Sequence, residues 1–268
     1  MKEQLNYLFS RHPRIYESIL QLKGNTNFEK VLFLNLIKKG DVVFDIGANR
    51  GYYTLLFSHL VNRTGQVHAF EPVPPTFDKL SIKTTAGKRF NNVCLNGVAV
   101  GDITHTVELY MPGADDGQAS LTVHTSGSWK NTDVITTFNC ESIRLDDYCV
   151  FKEITRLNFI KCDIEGAELL ALKGASKTIA GYKPIIYLEI CRDWTANFGY
   201  DPVEIVRYLN NFGYSAFHLV TDSLTCVKNP DDDLSMEKLK GSANLMCSIP
   251  EKHSERTSNF IRKYTLTQ

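Results

Sequence analysis

The chain has 268 residues, 43% hydrophobic and 11% aromatic, which is enough for one large domain with extensions or two small ones and argues against disorder. Thirty Lys and Arg balance thirty Asp and Glu, removing the usual electrostatic case for non-specific nucleic-acid binding, and no apolar stretch approaches the ~20 residues of a membrane helix. Seven Cys without a CxxC pair exclude zinc-site and disulfide-framework spacings, so scattered thiols, a polar N-terminus unlike a signal peptide and a cytoplasmic location are expected.

Residues 1–39 read as a helical N-terminal extension, with Leu5, Leu8, Phe9, Ile15, Ile19 and Leu22 apolar and a dense run from Val31 to Ile37. Lys38, Lys39 and Gly40 form the stop. Short apolar runs then alternate with helical patterns, the signature of a parallel sheet covered on both faces. Val42 to Phe44 predicts the first strand, and Tyr53, Leu56, Phe57 and Leu60 recur at helical spacing. Gln66 to Phe70 predicts a second strand, Thr76 to Lys88 a helix and Val93 to Val100 a third strand. Asn158 to Cys162 and Pro184 to Ile190 predict the fourth and fifth. A helix from about Pro202 to Phe212 follows, then two last strands at Tyr214 to Val220 and Ala243 to Ile249, separated by the acidic turn Asp231 to Asp233.

The interval 104–142 breaks this rhythm. Val107, Leu109 and Met111, then Val134, Thr136, Phe138 and Cys140, alternate with period two around Gly- and Ser-rich turns. This predicts a β-hairpin insertion. Ligands of open α/β sheets bind beyond the carboxyl ends of the strands. An insertion at such an end either closes over the site as a lid or merely lengthens the sheet.

The first strand ends in Asp45-Ile46-Gly47 and turns through Asn49 and Gly51 into a helix. Asn49 stands where a dinucleotide fingerprint has its middle glycine, and no Gly-Lys-Ser/Thr of a phosphate loop follows. A ligand with a sugar and a charged tail but no phosphate fits such a turn, and S-adenosylmethionine meets that description. Asp45 would face its cationic end. Glu71 ends the second strand, 24 residues after Gly47, where an acid can accept both ribose hydroxyls.

Asp163 and Glu165 fall just past the fourth strand, and Glu189 lies near the end of the fifth. Glu168 reads as a local partner of the next helix. Lys161 shares a strand face with Asp163 and is a salt-bridge partner. Asp163 or Glu165, with Glu189 third, are the candidate bases. Metal-free base catalysis is ranked ahead of a divalent cation held by these three carboxylates, a reading that requires them to converge. His124 and His218 are possible bases, since His titrates near neutrality, but each by itself reads as a packing or hydrogen-bonded residue.

Together, Asp45 to Gly51, Phe70-Glu71-Pro72, Val98 to Asp102, Ala119-Ser120-Leu121, Leu145-Asp146-Asp147 and Ile160 to Glu168 make the chain resemble the FkbM-type S-adenosylmethionine-dependent methyltransferases. The resemblance covers about 40–250, taken as the methyltransferase domain, with 251–268 as a C-terminal tail. It implies a class I (Rossmann-like) α/β methyltransferase fold, with a seven-stranded, mostly parallel sheet whose last strand is antiparallel. It implies methyl transfer to a hydroxyl of a sugar, glycan or natural product. By that likeness Asp45, Gly47, Asn49 and Gly51 hold the methionine end, Glu71 the ribose, and Val98 and Ala99 neighbour the adenine; Pro72 and Asp163 are further cofactor-binding candidates. Alternatives are a peptide, lipid or nucleic-acid acceptor, an NAD-linked oxidoreductase, or a binding module without catalysis.

Overall fold

Why the all-apolar runs become central strands is visible in their burial: every residue of β1 (Val42–Ile46) is covered on both faces. The computed structural model describes residues 27–85, 91–113, 115–235, 237–239 and 241–265. The expected helices within 1–26 lie outside the described residues. The described chain begins with α1 (Phe28–Leu36), capped by Asn27, whose side chain accepts the Lys30 N–H at 3.0 Å. After β1 come α2 (Tyr52–Val61), β2 (Gln66–Phe70), α3 (Pro74–Thr85) and β3 (Val93–Asn96).

The third expected strand, Val93 to Val100, is corrected. Asn96 ends β3, its side-chain N–H bonding back to the Ala69 carbonyl. The chain then leaves the sheet through Gly97 and Val98, and β4 (Ala99–Val100) pairs instead with β6 (Ile135–Ile143). β5 (His105–Pro112) pairs antiparallel with β6, setting Val107 opposite Cys140 and Leu109 opposite Phe138. This is the alternation read from the sequence. β4, β6 and β5 form a separate three-stranded sheet.

α4 (Leu145–Phe151), β7 (Phe159–Cys162), α5 (Glu168–Lys173), α6 (Ser176–Tyr182), β8 (Ile185–Cys191), α7 (Arg192–Thr195) and α8 (Pro202–Asn210) follow. Then come β9 (Ala216–Val220), β10 (Leu224–Cys226), α9 (Pro230–Asp233), β11 (Ser242–Ser248) and α10 (Pro250–Tyr264). The main sheet has eight strands in the order β10-β9-β11-β8-β7-β1-β2-β3. Its seven expected strands are joined by β10 at the edge, a three-residue strand too short to show a period. β11 runs antiparallel to both β8 and β9, as expected of the last strand, while β7, β1, β2 and β3 pair in parallel. The expected acidic turn is the short helix α9, and the expected C-terminal tail is helical over Pro250–Tyr264.

Each face of the sheet carries its own apolar core. On one, Phe33 of α1 meets Phe57, Phe159 and Tyr187 edge-on, with centroids 4.9–5.7 Å apart. α10 closes that face through Phe260 against Phe28 and a bidentate Arg256–Asp41 pair. On the other, Phe44, Ile160, Leu172, Ile186 and Leu209 pack beneath α4 to α6 and α8. Asp146 ties α4 to α6, accepting the Thr178 N–H and hydroxyl at 2.8 Å each. All seven cysteines are free thiols. Among the described residues no helix is long and apolar enough to cross a membrane.

Candidate active site

The sheet's strand order reverses direction at β1, so the carboxyl ends of β1 and β7 open onto one crevice. The turn after β1 is set by backbone bonds. The N–H groups of Gly47 and Ala48 both donate to the Phe70 carbonyl, at 3.0 and 2.9 Å. Gly47, Asn49 and Gly51 all take positive φ, of 76°, 48° and 80°. Gly47 is required for a second reason: a Cβ there would sit 1.8 Å from the Asp163 carbonyl oxygen. The missing side chain lets the β1 turn touch the end of β7.

Glu71 braces this turn. Its Oε2 accepts the Asn49 N–H at 2.8 Å and its Oε1 accepts the Val73 N–H at 3.0 Å. Asp45 stands behind the turn, fully buried, accepting the Thr54 hydroxyl at 2.6 Å. Burial raises its carboxyl above the ordinary value, while Lys161 and Thr54 pull it back. The Lys161 ammonium lies 3.8 Å from Asp45 and 3.1 Å from Asp163. Burial works against its charge, but the Asp163 and Asp45 carboxylates outweigh it and hold Lys161 protonated. The shared strand face of Lys161 and Asp163 is as expected.

Past β7 the chain makes a left-handed turn at Glu165 (φ 58°) and Gly166 (φ 100°). Glu168 stabilises it from below, accepting the N–H groups of Ile164 and Gly166 at 3.0 and 3.3 Å. Burial raises Glu168 to about 7 despite these bonds, and its role is the local one expected. The Glu165 carbonyl accepts from the Ser120 hydroxyl and from His124 Nε2, both at 3.0 Å. His124 Nδ1 accepts from Asn197 at 2.8 Å, so both ring nitrogens are engaged and the imidazole is neutral. Burial lowers its pKa further. His218 lies in β9, buried, outside the cavity wall.

Asp163, Glu165 and Glu189 converge: one carboxylate oxygen from each lies within 4.8 Å of the other two. The Glu165 Oε2 has no hydrogen-bond partner. Burial, then the charges of Asp163 and Glu189, push its carboxyl up to about 10. Glu189 is raised for the same reasons, burial first and Asp163 second. Glu165 and Glu189 therefore hold protons, or another cation, at neutral pH.

A crevice open to solvent at its mouth joins the turn to this cluster. Gly47, Asn49, Glu71, Pro72, Val98 and Ala99 line it, with Asp163 and Glu165 at one end. Asp45, Gly51 and Glu189 stand outside its wall: Asp45 behind the turn, Gly51 at the start of α2, and Glu189 half-buried beside Asp163. The insertion supplies Leu109, Gly117, Ala119, Ser120 and Leu121 to its lining. A double backbone bond between Tyr110 and Ser120, at 2.8 and 2.9 Å, folds the hairpin loop inward. His124 is the hydrogen-bonded residue expected, whereas the role of Ser120 escaped residue-by-residue reading; the Ala119-Ser120-Leu121 string was the available signal.

Residues 45–216 match the family model for the methyltransferase FkbM domain. The chain is 27% identical over 194 residues to the hexuronic acid methyltransferase AglP of Haloferax volcanii, covering 72% of this chain and 70% of that protein. It is 27% identical over 158 residues to the 31-O-demethyl-FK506 methyltransferase FkbM of Streptomyces tacrolimicus, 52% of this chain and 60% of that one. Among solved structures it is similar to a methyltransferase FkbM from Methylobacillus flagellatus, with 18% identity and a TM-score of 0.48. That likeness covers 77% of this chain and 43% of the other.

Proposed function

The chain belongs to the FkbM family of S-adenosylmethionine-dependent methyltransferases, and from that premise we propose that it methylates a hydroxyl of a sugar, glycan or natural-product small molecule. One observation carries the reading: the β1 turn, Glu71 and the carboxylates of Asp163 and Glu165 meet in a single cavity. Its chemistry fits the cofactor, because apolar Val98, Ala99 and Leu121 offer a surface for a flat base while the far end is acidic. Gly47, Asn49 and Gly51 would hold the methionine end, with Asp45 acting from behind through its charge. Glu71, at the cavity wall beside Pro72, would take the ribose hydroxyls.

S-adenosylmethionine supplies a methyl carbon already activated on a sulfonium. The protein's task is then orientation and proton management. An acceptor hydroxyl enters under Leu109 and Leu121 of the insertion and meets Asp163 and Glu165, with Glu189 alongside. Asp163, paired with the Lys161 ammonium, or Glu165 in its ionised form receives the hydroxyl proton as the oxygen bonds the methyl carbon, assistance commonly worth ~10²–10⁴-fold. The two curated relatives are named for a hexuronic acid and for an O-demethyl natural product, which supports a hydroxylated acceptor.

Isothermal titration with S-adenosylhomocysteine, followed by an assay of its release over a panel of uronic acids and polyol natural products, tests the reading. Tight cofactor binding and turnover with a hydroxylated acceptor are expected. Indifference to the cofactor at millimolar supply, with uptake of NAD instead, would sink it.

A further inference from the structure

We propose that Asp163, Glu165 and Glu189 bind one hard divalent cation, of the Mg²⁺, Mn²⁺ or Ca²⁺ kind, at the acceptor end of the cavity. The sequence ranked this reading second because spacing could not bring the three acids together. Tertiary structure does so, drawing two from the loop after β7 and one from β8.

The geometry is of the right size. Ligands on opposite sides of an ion lie two bond lengths apart, about 4.2 Å for Mg²⁺ and about 4.8 Å for Ca²⁺. One oxygen from each acid lies within 4.8 Å of the other two, so the trio can surround a single ion. Carboxylate oxygens are the ligands such ions take.

A second observation points to an occupant. Glu165 is 8% exposed, lines the cavity, and keeps an Oε2 without any partner. Leaving a buried charged acceptor unpaired is expensive, and the fold adds a left-handed φ of 58° at the same residue. Ser120 and His124 from the insertion, with Glu168 from below, lock that turn. So much support behind an unsatisfied carboxylate suits a ligand site better than a structural strut. Among the described residues, the trio's salt-bridge cation is Lys161, and it is divided between Asp163 and Asp45. Glu165 and Glu189 are left without a counter-charge of their own.

Three protein ligands leave coordination positions for water or for acceptor oxygens. On this point the inference rests on the proposed methyl transfer, although cation binding itself does not. The ion takes one oxygen of each carboxylate, so another remains for the proton. The methyl carbon leaves sulfur, bonds the acceptor oxygen, and the O–H proton passes to that carboxylate.

The test is a Mn²⁺ titration of the full chain without cofactor, followed by loss of the free-ion electron paramagnetic resonance signal. Glu165→Gln and Glu189→Gln are compared with Asp231→Asn/Asp232→Asn, which thins the remote exposed acidic helix. One Mn²⁺ per chain is expected, displaced by Mg²⁺ or Ca²⁺. Affinity should fall at least ~10-fold in each glutamine variant and stay unchanged in the remote one, as loss of one ligand from a small set requires. Circular dichroism and melting check folding; where a glutamine variant fails it, Glu165→Asp, which keeps the charge but withdraws the oxygen, takes its place with the same expected loss. Absence of binding below millimolar Mn²⁺, or equal affinity in site variants and wild type, overturns the proposal. Titration with S-adenosylhomocysteine runs alongside. Cofactor uptake without Mn²⁺ uptake removes the cation and leaves the methyltransferase reading, whereas the reverse result removes that reading and keeps the cation.

Discussion

Glu71 and Glu165 follow the carboxyl ends of the two parallel strands that flank β1, and both are more than nine-tenths buried. Their environments are opposite. Glu71 is held by two backbone N–H groups at 2.8 and 3.0 Å and braces the turn beside it. Glu165 meets no donor at Oε2 and faces the charges of Asp163 and Glu189. A buried acid with backbone donors contributes to the fold before any ligand arrives. A buried acid without them weakens the fold and is explained only by what binds there.

The sharpest way to break this contrast is Glu165→Gln. Turnover is expected to fall ~10²–10⁴-fold. Affinity for S-adenosylhomocysteine should stay within a few-fold and the melting temperature should not drop, since the change removes a charge that its neighbours repel. A lower melting temperature in cation-free buffer would make Glu165 a strut like Glu71.

His68 supplies a control, a bare buried nitrogen that is not part of the cavity wall. Its Nδ1 bonds the Tyr148 hydroxyl at 2.7 Å, while Nε2 has no partner. Burial lowers its pKa from 6.5 to about 4. The unfolded chain therefore takes up the proton first as pH falls, and stability present above pH 6.5 drains away toward pH 4. The loss is on the order of 3 kcal/mol, read by urea unfolding across that range, and should vanish in His68→Phe. Turnover at pH 7.5 should be unaffected by the same variant.

Glu71→Gln probes the other side of the contrast. Losing charge-assisted bonds to two backbone donors costs about 1.5–3 kcal/mol. It should appear as roughly 10- to 100-fold weaker S-adenosylhomocysteine binding in calorimetry together with a lower melting temperature. The smallest effect is expected from Ser120→Ala, which removes one neutral bond to the Glu165 carbonyl, about 0.5–1.5 kcal/mol. A raised KM for the acceptor with unchanged cofactor affinity would show that the insertion positions the acceptor end alone.

What could be read in advance follows the same division. The β1 turn and Glu71 are local: a strand, a glycine pair and an acid one strand later, all joined by backbone bonds that any chain of this pattern must make. The hairpin at 104–142 was legible because Leu109 and Met111 alternate against Phe138 and Thr136. Val93 to Val100 was misjudged as one strand because an apolar run does not say which partner it pairs with. Asn96 and Gly97 divert it, and β6 captures its second half. β10 escaped because three residues carry no period.

From the order of residues alone came the alternating architecture, the glycine turn, and acids at three strand ends, because periodicity and turn chemistry act over a few neighbouring positions. Only the folded molecule decided that Glu189 joins Asp163 and Glu165, that Asp45 stays behind the wall, and that Ser120 and His124 reach across to hold Glu165. Those contacts span from 24 to 45 positions of chain for the cluster and its clamp. Their geometry depends on how far each strand runs and where an insertion docks, which packing determines and local pattern does not.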